Sequence, residues 1–260
     1  MSTIKKQIEK VNGTGKKVLS IFLTAGYPNK KNFLETARAI IENGADMLEI
    51  GVPFADSLAD GPVIQSSYVE SLKQNITLTD TLNFIEEIKK FSSIPVLLMS
   101  SANPIYKFGI DNFTILARSS GVDGLIIPDI PLEEYSDFFD SRFNGLDIIL
   151  LTTPTSSEIR IKQIDKLSSG FVYCVSVVGT TGIRTKFDEK VLINLERTYS
   201  NLTNNKMLIG FGIKNYEDVK RFSPYCDGVI VGSAVVKSLS EDDNQFSNTI
   251  KLIKELSSAC

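Results

Sequence analysis

Three carboxylates in one short stretch are the residues of this chain best suited to acid–base chemistry. Glu49 stands near the end of an apolar run, and Asp56 and Asp60 follow in a loop bounded by proline and glycine. A charged carboxylate without a partner in such a run costs on the order of several kcal/mol, whereas acid–base catalysis requires a carboxyl group with a shifted pKa. The pattern favours Glu49 as a catalytic group over the alternative of a paired structural acid. Asp56 is the weakest candidate, because Asp before Ser often forms only a local turn.

The chain contains no histidine, and this absence restricts the chemistry available to it. A Ser-His-Asp triad is excluded, and the commonest zinc ligand is missing. The three cysteines, at positions 174, 226 and 260, show no metal-binding spacing, so we expect no metal site. Acid–base catalysis then falls to carboxylates, with Tyr, Lys or Cys as the remaining options, which strengthens the case for Glu49 and Asp60.

Composition is that of an ordinary soluble globular protein, with 42% apolar and 23% charged residues in 260. The net charge is −3 and lysines occur only as isolated pairs, so nothing supports nucleic-acid binding. No apolar segment approaches the roughly 18 residues that span a bilayer, and the N-terminus lacks the apolar core of a signal peptide. We therefore expect a reduced, cytoplasmic protein that binds neither nucleic acid nor membrane.

Short apolar runs alternate with amphipathic segments along the whole chain. The predicted strands are residues 18–24, 46–51, 94–100, 124–127, 147–152, 171–177, 207–210 and 228–231. The predicted helices are residues 31–43, 78–91, 111–119, 133–143, 157–167, 190–199, 217–222 and 244–256.

Eight such units predict an α/β fold, a single-domain (β/α)8 TIM barrel over residues 1–260. An extra N-terminal helix with the apolar stripe Ile4, Ile8 and Val11 is expected to cover the barrel floor. The alternative is an open doubly wound sheet, but no Gly-x-Gly-x-x-Gly motif opens a helix after the first strand. In a barrel, the loops after the strands carry the chemistry, so Glu49 and Asp60 are expected to face the same mouth.

Three glycine-bearing loops follow the sixth, seventh and eighth predicted strands, at residues 179–182, 210–214 and 232–234. Glycine lets backbone N–H groups approach an anion closely, and the loops after the last two strands are the usual phosphate site of this fold. Each glycine alone is more often part of a turn. Together the loops predict a phosphate site built mainly from backbone amides, with Ser233 adding a hydroxyl.

With these residues assembled, the chain resembles the tryptophan synthase α subunits over almost its full length. The most specific segment is 48–62, Leu-Glu-Ile-Gly-Val-Pro-Phe-Ala-Asp-Ser-Leu-Ala-Asp-Gly-Pro, and supporting segments are 23–28, 121–129, 210–213 and 231–234. The resemblance implies a lyase of tryptophan biosynthesis. It would cleave indole-3-glycerol phosphate to indole and glyceraldehyde 3-phosphate by a retro-aldol reaction without a cofactor.

The resemblance also assigns roles to individual residues. Glu49 would shuttle the proton between the indole ring and the glycerol hydroxyl, and Asp60 would bind the indole N–H. The phosphate would be held by Gly182, Gly212, Gly232 and Ser233. Phe22 and Ser101 would border the indole, and a lid at about 178–187 would bring Thr181 to Asp60 on closing.

A pyridoxal-phosphate-dependent β subunit is the partner that the resemblance implies, in an α₂β₂ assembly that channels indole. Three features depart from the family pattern: Ser57 stands where proline is usual, Ser101 stands where a tyrosine usually borders the pocket, and the lid lacks the usual arginine before its glycine. Two alternatives therefore stay open. One is a weakly active or non-catalytic barrel subunit that mainly activates the β subunit, and the other is a different phosphosugar enzyme, such as an isomerase or epimerase.

Overall fold

Eight parallel strands close into a barrel in which each strand pairs with the next and the last pairs with the first. The computed structural model describes residues 2–57, 60–176, 189–210, 212–242 and 245–260. The strands are β1 (Val18–Thr24), β2 (Met47–Gly51), β3 (Val96–Met99), β4 (Gly124–Ile126), β5 (Asp147–Thr152), β6 (Phe171–Val175), β7 (Lys206–Gly210) and β8 (Gly228–Val231). The predicted (β/α)8 barrel is confirmed.

Helices follow the strands along the described part of the chain. They are α1 (Thr3–Asn12), α2 (Phe33–Glu42), α3 (Pro62–Lys73), α4 (Leu78–Phe91), α5 (Ala102–Phe108), α6 (Ile110–Ser119), α7 (Tyr135–Phe138), α8 (Glu158–Leu167), α9 (Glu189–Ser200), α10 (Tyr216–Phe222), α11 (Ser233–Ser240) and α12 (Ser247–Ala259). Short 3₁₀ turns occur at Leu132–Glu134, Ser141–Phe143 and Ser223–Tyr225. Within the described ranges, no helix is long and apolar enough to cross a membrane.

The prediction of a single helix at residues 133–143 is wrong. The segment forms a 3₁₀ turn, the four-residue helix α7 and a second 3₁₀ turn. Asp140 causes the break, because its carboxylate accepts the backbone N–H and the guanidinium of Arg142 at 2.9 Å each. Aspartate competes in this way with the helical hydrogen bonds of its own backbone.

The helix predicted at residues 244–256 is shifted toward the C-terminus. Helix α12 begins at Ser247 because Phe246, with φ of 55°, adopts the left-handed conformation. Asp242 then accepts the backbone N–H groups of Asn248 and Thr249, two donors of the first turn that have no partner within the helix.

Helix α1 closes the floor of the barrel, as predicted. Ile4 and Ile8 are completely buried, and Val11 is half-buried. Gly124 makes room for this contact, since a Cβ atom at that position would lie 2.8 Å from the Cδ1 atom of Ile4. With its N-terminal end sealed, the barrel is open to ligands at the opposite end, where the strands end.

Candidate active site

A cavity of about 490 Å³ lies at the C-terminal ends of the strands. Its wall contains six of the residues predicted for the site, namely Phe22, Glu49, Asp60, Gly212, Gly232 and Ser233. They come from β1, β2 and the segments that follow β2, β7 and β8. Barrel closure therefore brings together carboxylates and glycine loops that lie far apart in the sequence.

Glu49 is a buried acid with one oxygen held and the other free. Its side chain is 1% exposed and stands opposite Phe22 in the β1–β2 register. Ser20 lies two residues before Phe22, so its side chain points to the same side of the strand, and its hydroxyl donates to Glu49 Oε1 at 2.9 Å. Glu49 Oε2 has no hydrogen-bond partner among the described residues.

Burial determines the protonation state of Glu49. Removal from water raises the pKa of Glu49 from 4.5 to about 8, while the bond from Ser20 acts in the opposite direction. At neutral pH the side chain therefore carries a proton at the wall of the cavity. A neutral carboxyl in this position can donate a proton to a bound molecule and later recover one.

Asp60 is the second buried carboxylate of the wall, at 6% exposure. It precedes helix α3 and hydrogen-bonds to the hydroxyls of Ser57 and Tyr68. Burial raises the pKa of Asp60, and both hydroxyl bonds oppose the rise. Asp56, by contrast, is exposed and is not in the cavity wall.

Tyr173 of β6 is a member of the site that sequence reasoning missed. Its buried phenol lines the cavity, and burial, followed by the charges of Glu49 and Asp60, raises its pKa well above the ordinary value. Gly210 on the adjacent strand leaves space for the ring, because a Cβ atom there would overlap the Tyr173 hydroxyl. The sequence does contain a signal for this residue. A tyrosine occurs within an apolar predicted strand, and the next predicted strand ends in a glycine that leaves room for its ring.

The part of the wall formed by the loops after β7 and β8 is suited to an anion. Helix α11 begins at Ser233, with Gly232 as its N-cap. The first N–H groups of a helix have no partner within it, and the helix dipole favours negative charge at that end. Gly212, with φ of 89°, takes a conformation that side chains rarely adopt. Lys214 and Lys237 also line the cavity, and the ammonium of Lys237 lies 3.8 Å from the carboxylate of Glu241, another lining residue.

Comparison with known proteins assigns the chain to a family. The family model described as tryptophan synthase alpha chain matches residues 8–259. The chain belongs to the tryptophan synthase alpha chain family. A tryptophan synthase alpha chain of Clostridium beijerinckii is 42% identical over 261 residues, covering 99% of this chain and 98% of that protein. One from Thermoanaerobacter pseudethanolicus is 40% identical over 246 residues, covering 94% and 93%.

A solved structure shows the same fold as this member of the family. The crystal structure of a tryptophan synthase alpha chain from Legionella pneumophila matches with a TM-score of 0.89 at 31% identity. The match covers 100% of this chain and 97% of that one. The barrel fold predicted from the repeating units and the family inferred from the segment around Glu49 are thus both confirmed.

Ser101, which the family resemblance suggested for the indole pocket, is not in the described wall. It is the N-cap residue of α5, whereas Met99, at the end of β3, lines the cavity. Asp129 accepts the backbone N–H of Ala102 at 3.0 Å and so supports the start of α5. Gly182 and Thr181, with the lid predicted at 178–187, lie outside the described residues.

No metal centre is formed by the described part of the chain. Within it, no three Asp, Glu or Cys side chains converge as possible metal ligands. The chemistry that this wall can perform with its own groups is proton transfer by Glu49 and hydrogen-bond acceptance by Asp60, beside a region suited to a phosphate.

Proposed function

We propose that this chain cleaves indole-3-glycerol phosphate to indole and glyceraldehyde 3-phosphate, with Glu49 as the proton shuttle and Asp60 as the acceptor of the indole N–H. Membership of the tryptophan synthase alpha chain family supports the reaction. The observation that carries the residue assignment is the buried Glu49, which lines the cavity and whose Oε2 has no hydrogen-bond partner among the described residues; burial raises its pKa to about 8.

Glu49 acts twice in the reaction. Its Oε2–H gives its proton to C3 of the indole ring, the carbon that bears the glycerol chain. The resulting carboxylate then takes the proton of the glycerol hydroxyl next to that carbon. The bond between C3 and the hydroxyl-bearing carbon breaks, its electrons return to the ring, and an aldehyde forms. Glu49 ends the cycle protonated, as it began, and Ser20 holds Oε1 throughout.

Asp60 supports the intermediate that Glu49 creates. Protonation at C3 places positive charge on the ring nitrogen, and an ionised carboxylate that accepts the N–H stabilises this charge. The glycine loops and the first turn of α11 bind the phosphate, with Lys214 adding a favourable charge. Phe22 supplies apolar surface for the indole ring.

The chain functions in this proposal as one domain, residues 1–260, in the cytoplasm. It assembles with a pyridoxal-phosphate-dependent β subunit into an α₂β₂ complex that receives the indole. Two exposed residues in the segments that follow β2 and β3, Asp56 and Tyr106, are suited to such a contact, and 56% of Tyr106 is exposed.

A coupled assay of indole release tests the proposal. Purified chain is given indole-3-glycerol phosphate with and without a β subunit, as wild type and as Glu49→Gln. Glu42→Gln, on the exposed surface of α2, is the matched control. We expect indole from the wild type and the control, and a loss of about 10²–10⁴-fold in Glu49→Gln.

Each other outcome contradicts part of the proposal. A wild-type rate in Glu49→Gln would remove Glu49 from the chemistry. Negligible cleavage by the wild type, with intact stimulation of the β subunit, would favour the non-catalytic activator. Conversion of pentulose phosphates instead of indole-3-glycerol phosphate would favour another phosphosugar enzyme.

A further inference from the structure

The loop that carries Asp60 is tied to helix α3 by side chains of that helix. The amide of Gln65 donates to the backbone carbonyls of Ser57 at 2.9 Å and Asp60 at 3.0 Å. The Asp60 carboxylate in turn hydrogen-bonds to the hydroxyls of Ser57 and Tyr68. Both the backbone and the carboxylate of this residue are therefore held.

Tyr68 extends this contact to the barrel itself. Its side chain is 3% exposed, and its hydroxyl lies close to Gly51, the last residue of β2. A Cβ atom at Gly51 would lie 3.0 Å from the Tyr68 hydroxyl and 2.5 Å from Cζ of Phe22. The phenol is thus packed on the same strand end that presents Glu49, which gives it a fixed position.

We propose that Ser57 and Tyr68 are positioning residues whose two hydroxyls hold the Asp60 carboxylate in one orientation, with its remaining lone pairs free to accept the N–H of the substrate ring. An ionised carboxylate has about four acceptor sites, so two protein donors leave room for the substrate. The effect of this arrangement on catalysis rests on the proposed function, whereas the hydrogen bonds from Ser57 and Tyr68 to Asp60 are independent of it.

The two hydroxyls also favour the ionised form of Asp60. Burial raises the pKa of Asp60, and the Ser57 and Tyr68 bonds lower it. In the described residues, the titratable groups that interact with this carboxylate are Tyr68 from α3 and Tyr173 from β6, and Tyr173 also interacts with Glu49 from β2. Both phenols have raised pKa values, chiefly through burial, so they remain neutral, and Tyr68 keeps the proton that it donates to Asp60.

Two variants test the proposal through the pH profile of cleavage. Tyr68→Phe removes one donor and keeps the ring, and Ser57→Ala removes the other. We expect each to lower kcat about tenfold and to move the acidic limb of the profile upward by about one pH unit. Ser57→Thr, which keeps a hydroxyl, is expected to restore both values toward the wild type.

Matched controls separate positioning from general destabilisation. Tyr135→Phe removes a phenol that donates to the Leu167 carbonyl, away from the cavity, and Ser66→Ala removes an exposed hydroxyl from α3 itself. Both should leave the pH profile unchanged. A lower kcat in Tyr68→Phe and Ser57→Ala without any movement of the acidic limb would overturn the proposal.

A titration of Asp60 judges the proposal even in a protein that releases no indole. Aspartate carboxyl carbons are labelled with ¹³C, and the Asp60 signal is assigned by its loss in Asp60→Asn. A higher titration midpoint in either variant than in the wild type supports the positioning role. Equal midpoints in all three proteins would refute it. Absence of indole release by the wild type refutes the proposed function separately.

Discussion

Glu49→Gln should make the stability of the protein less dependent on pH. The side chain is 1% exposed, and burial raises its pKa from 4.5 to about 8. Between these two values the folded chain keeps a proton that the unfolded chain releases. Rising pH therefore destabilises the folded wild type over this range, whereas a glutamine side chain has no proton to lose.

The magnitude follows from the width of the pH range. Each pH unit between the two pKa values costs the wild type about 1.4 kcal/mol of unfolding free energy. The contribution lost is about 3 kcal/mol by neutral pH and about 4 kcal/mol by pH 8, as orders of magnitude. Glutamine keeps an oxygen that can accept the Ser20 hydroxyl, so the local hydrogen bond is preserved.

Urea unfolding followed by circular dichroism measures the effect, at steps of about one pH unit from about pH 5 to about pH 8. The stability of Glu49→Gln relative to the wild type should rise steadily across the series. Glu42→Gln, at a side chain that is 64% exposed, should run parallel to the wild type. A constant difference between Glu49→Gln and the wild type at every pH would refute the assignment of a buried, protonated carboxyl.

Three further changes have separate consequences. Gly210→Ala would place a methyl group in the space of the Tyr173 hydroxyl, so urea unfolding should show a loss of about 1–3 kcal/mol, and wild-type stability would contradict the packing. Asp165→Ala removes the acceptor of the backbone N–H groups of Thr203 and Asn204, at 2.7 and 2.9 Å. We expect the free energy of unfolding to fall by about 3 kcal/mol with kcat unchanged. An equally stable variant would show that these hydrogen bonds do not stabilise the fold. Lys214→Ala should raise KM about three- to tenfold at constant kcat, and an unchanged KM in steady-state assays would place this lysine outside phosphate binding.

The sequence predicted the parts of the site that have local signals. Glu49 was identifiable because an acid in an apolar strand is costly without a function, and the glycine loops were identifiable because they follow successive strands. The barrel was predictable because its strands are short apolar runs and most of its helices have a clear apolar periodicity. Each of these features is visible in a few consecutive residues, so the sequence alone is enough to recognise it.

The partners of the two carboxylates depend instead on contacts between distant segments. Ser20 reaches Glu49 only through the register of β1 and β2, across 29 positions of sequence. Tyr68 was missed because the sequence pattern predicts no helix at residues 62–73, where α3 begins at a proline after a glycine. Helix α3 also buries Ser67 and Ser71, which weakens the apolar periodicity that marks a helix.

The most direct test of Glu49 as the proton shuttle is the single-turnover rate of carbon–carbon bond cleavage in Glu49→Gln. It is measured beside the affinity for a non-cleavable phosphorylated indole. We predict a rate lower by about 10²–10⁴-fold, with a Kd within about threefold of the wild-type value, because binding relies on the phosphate and the ring. A variant that cleaves the substrate within about tenfold of the wild-type rate would contradict the mechanism.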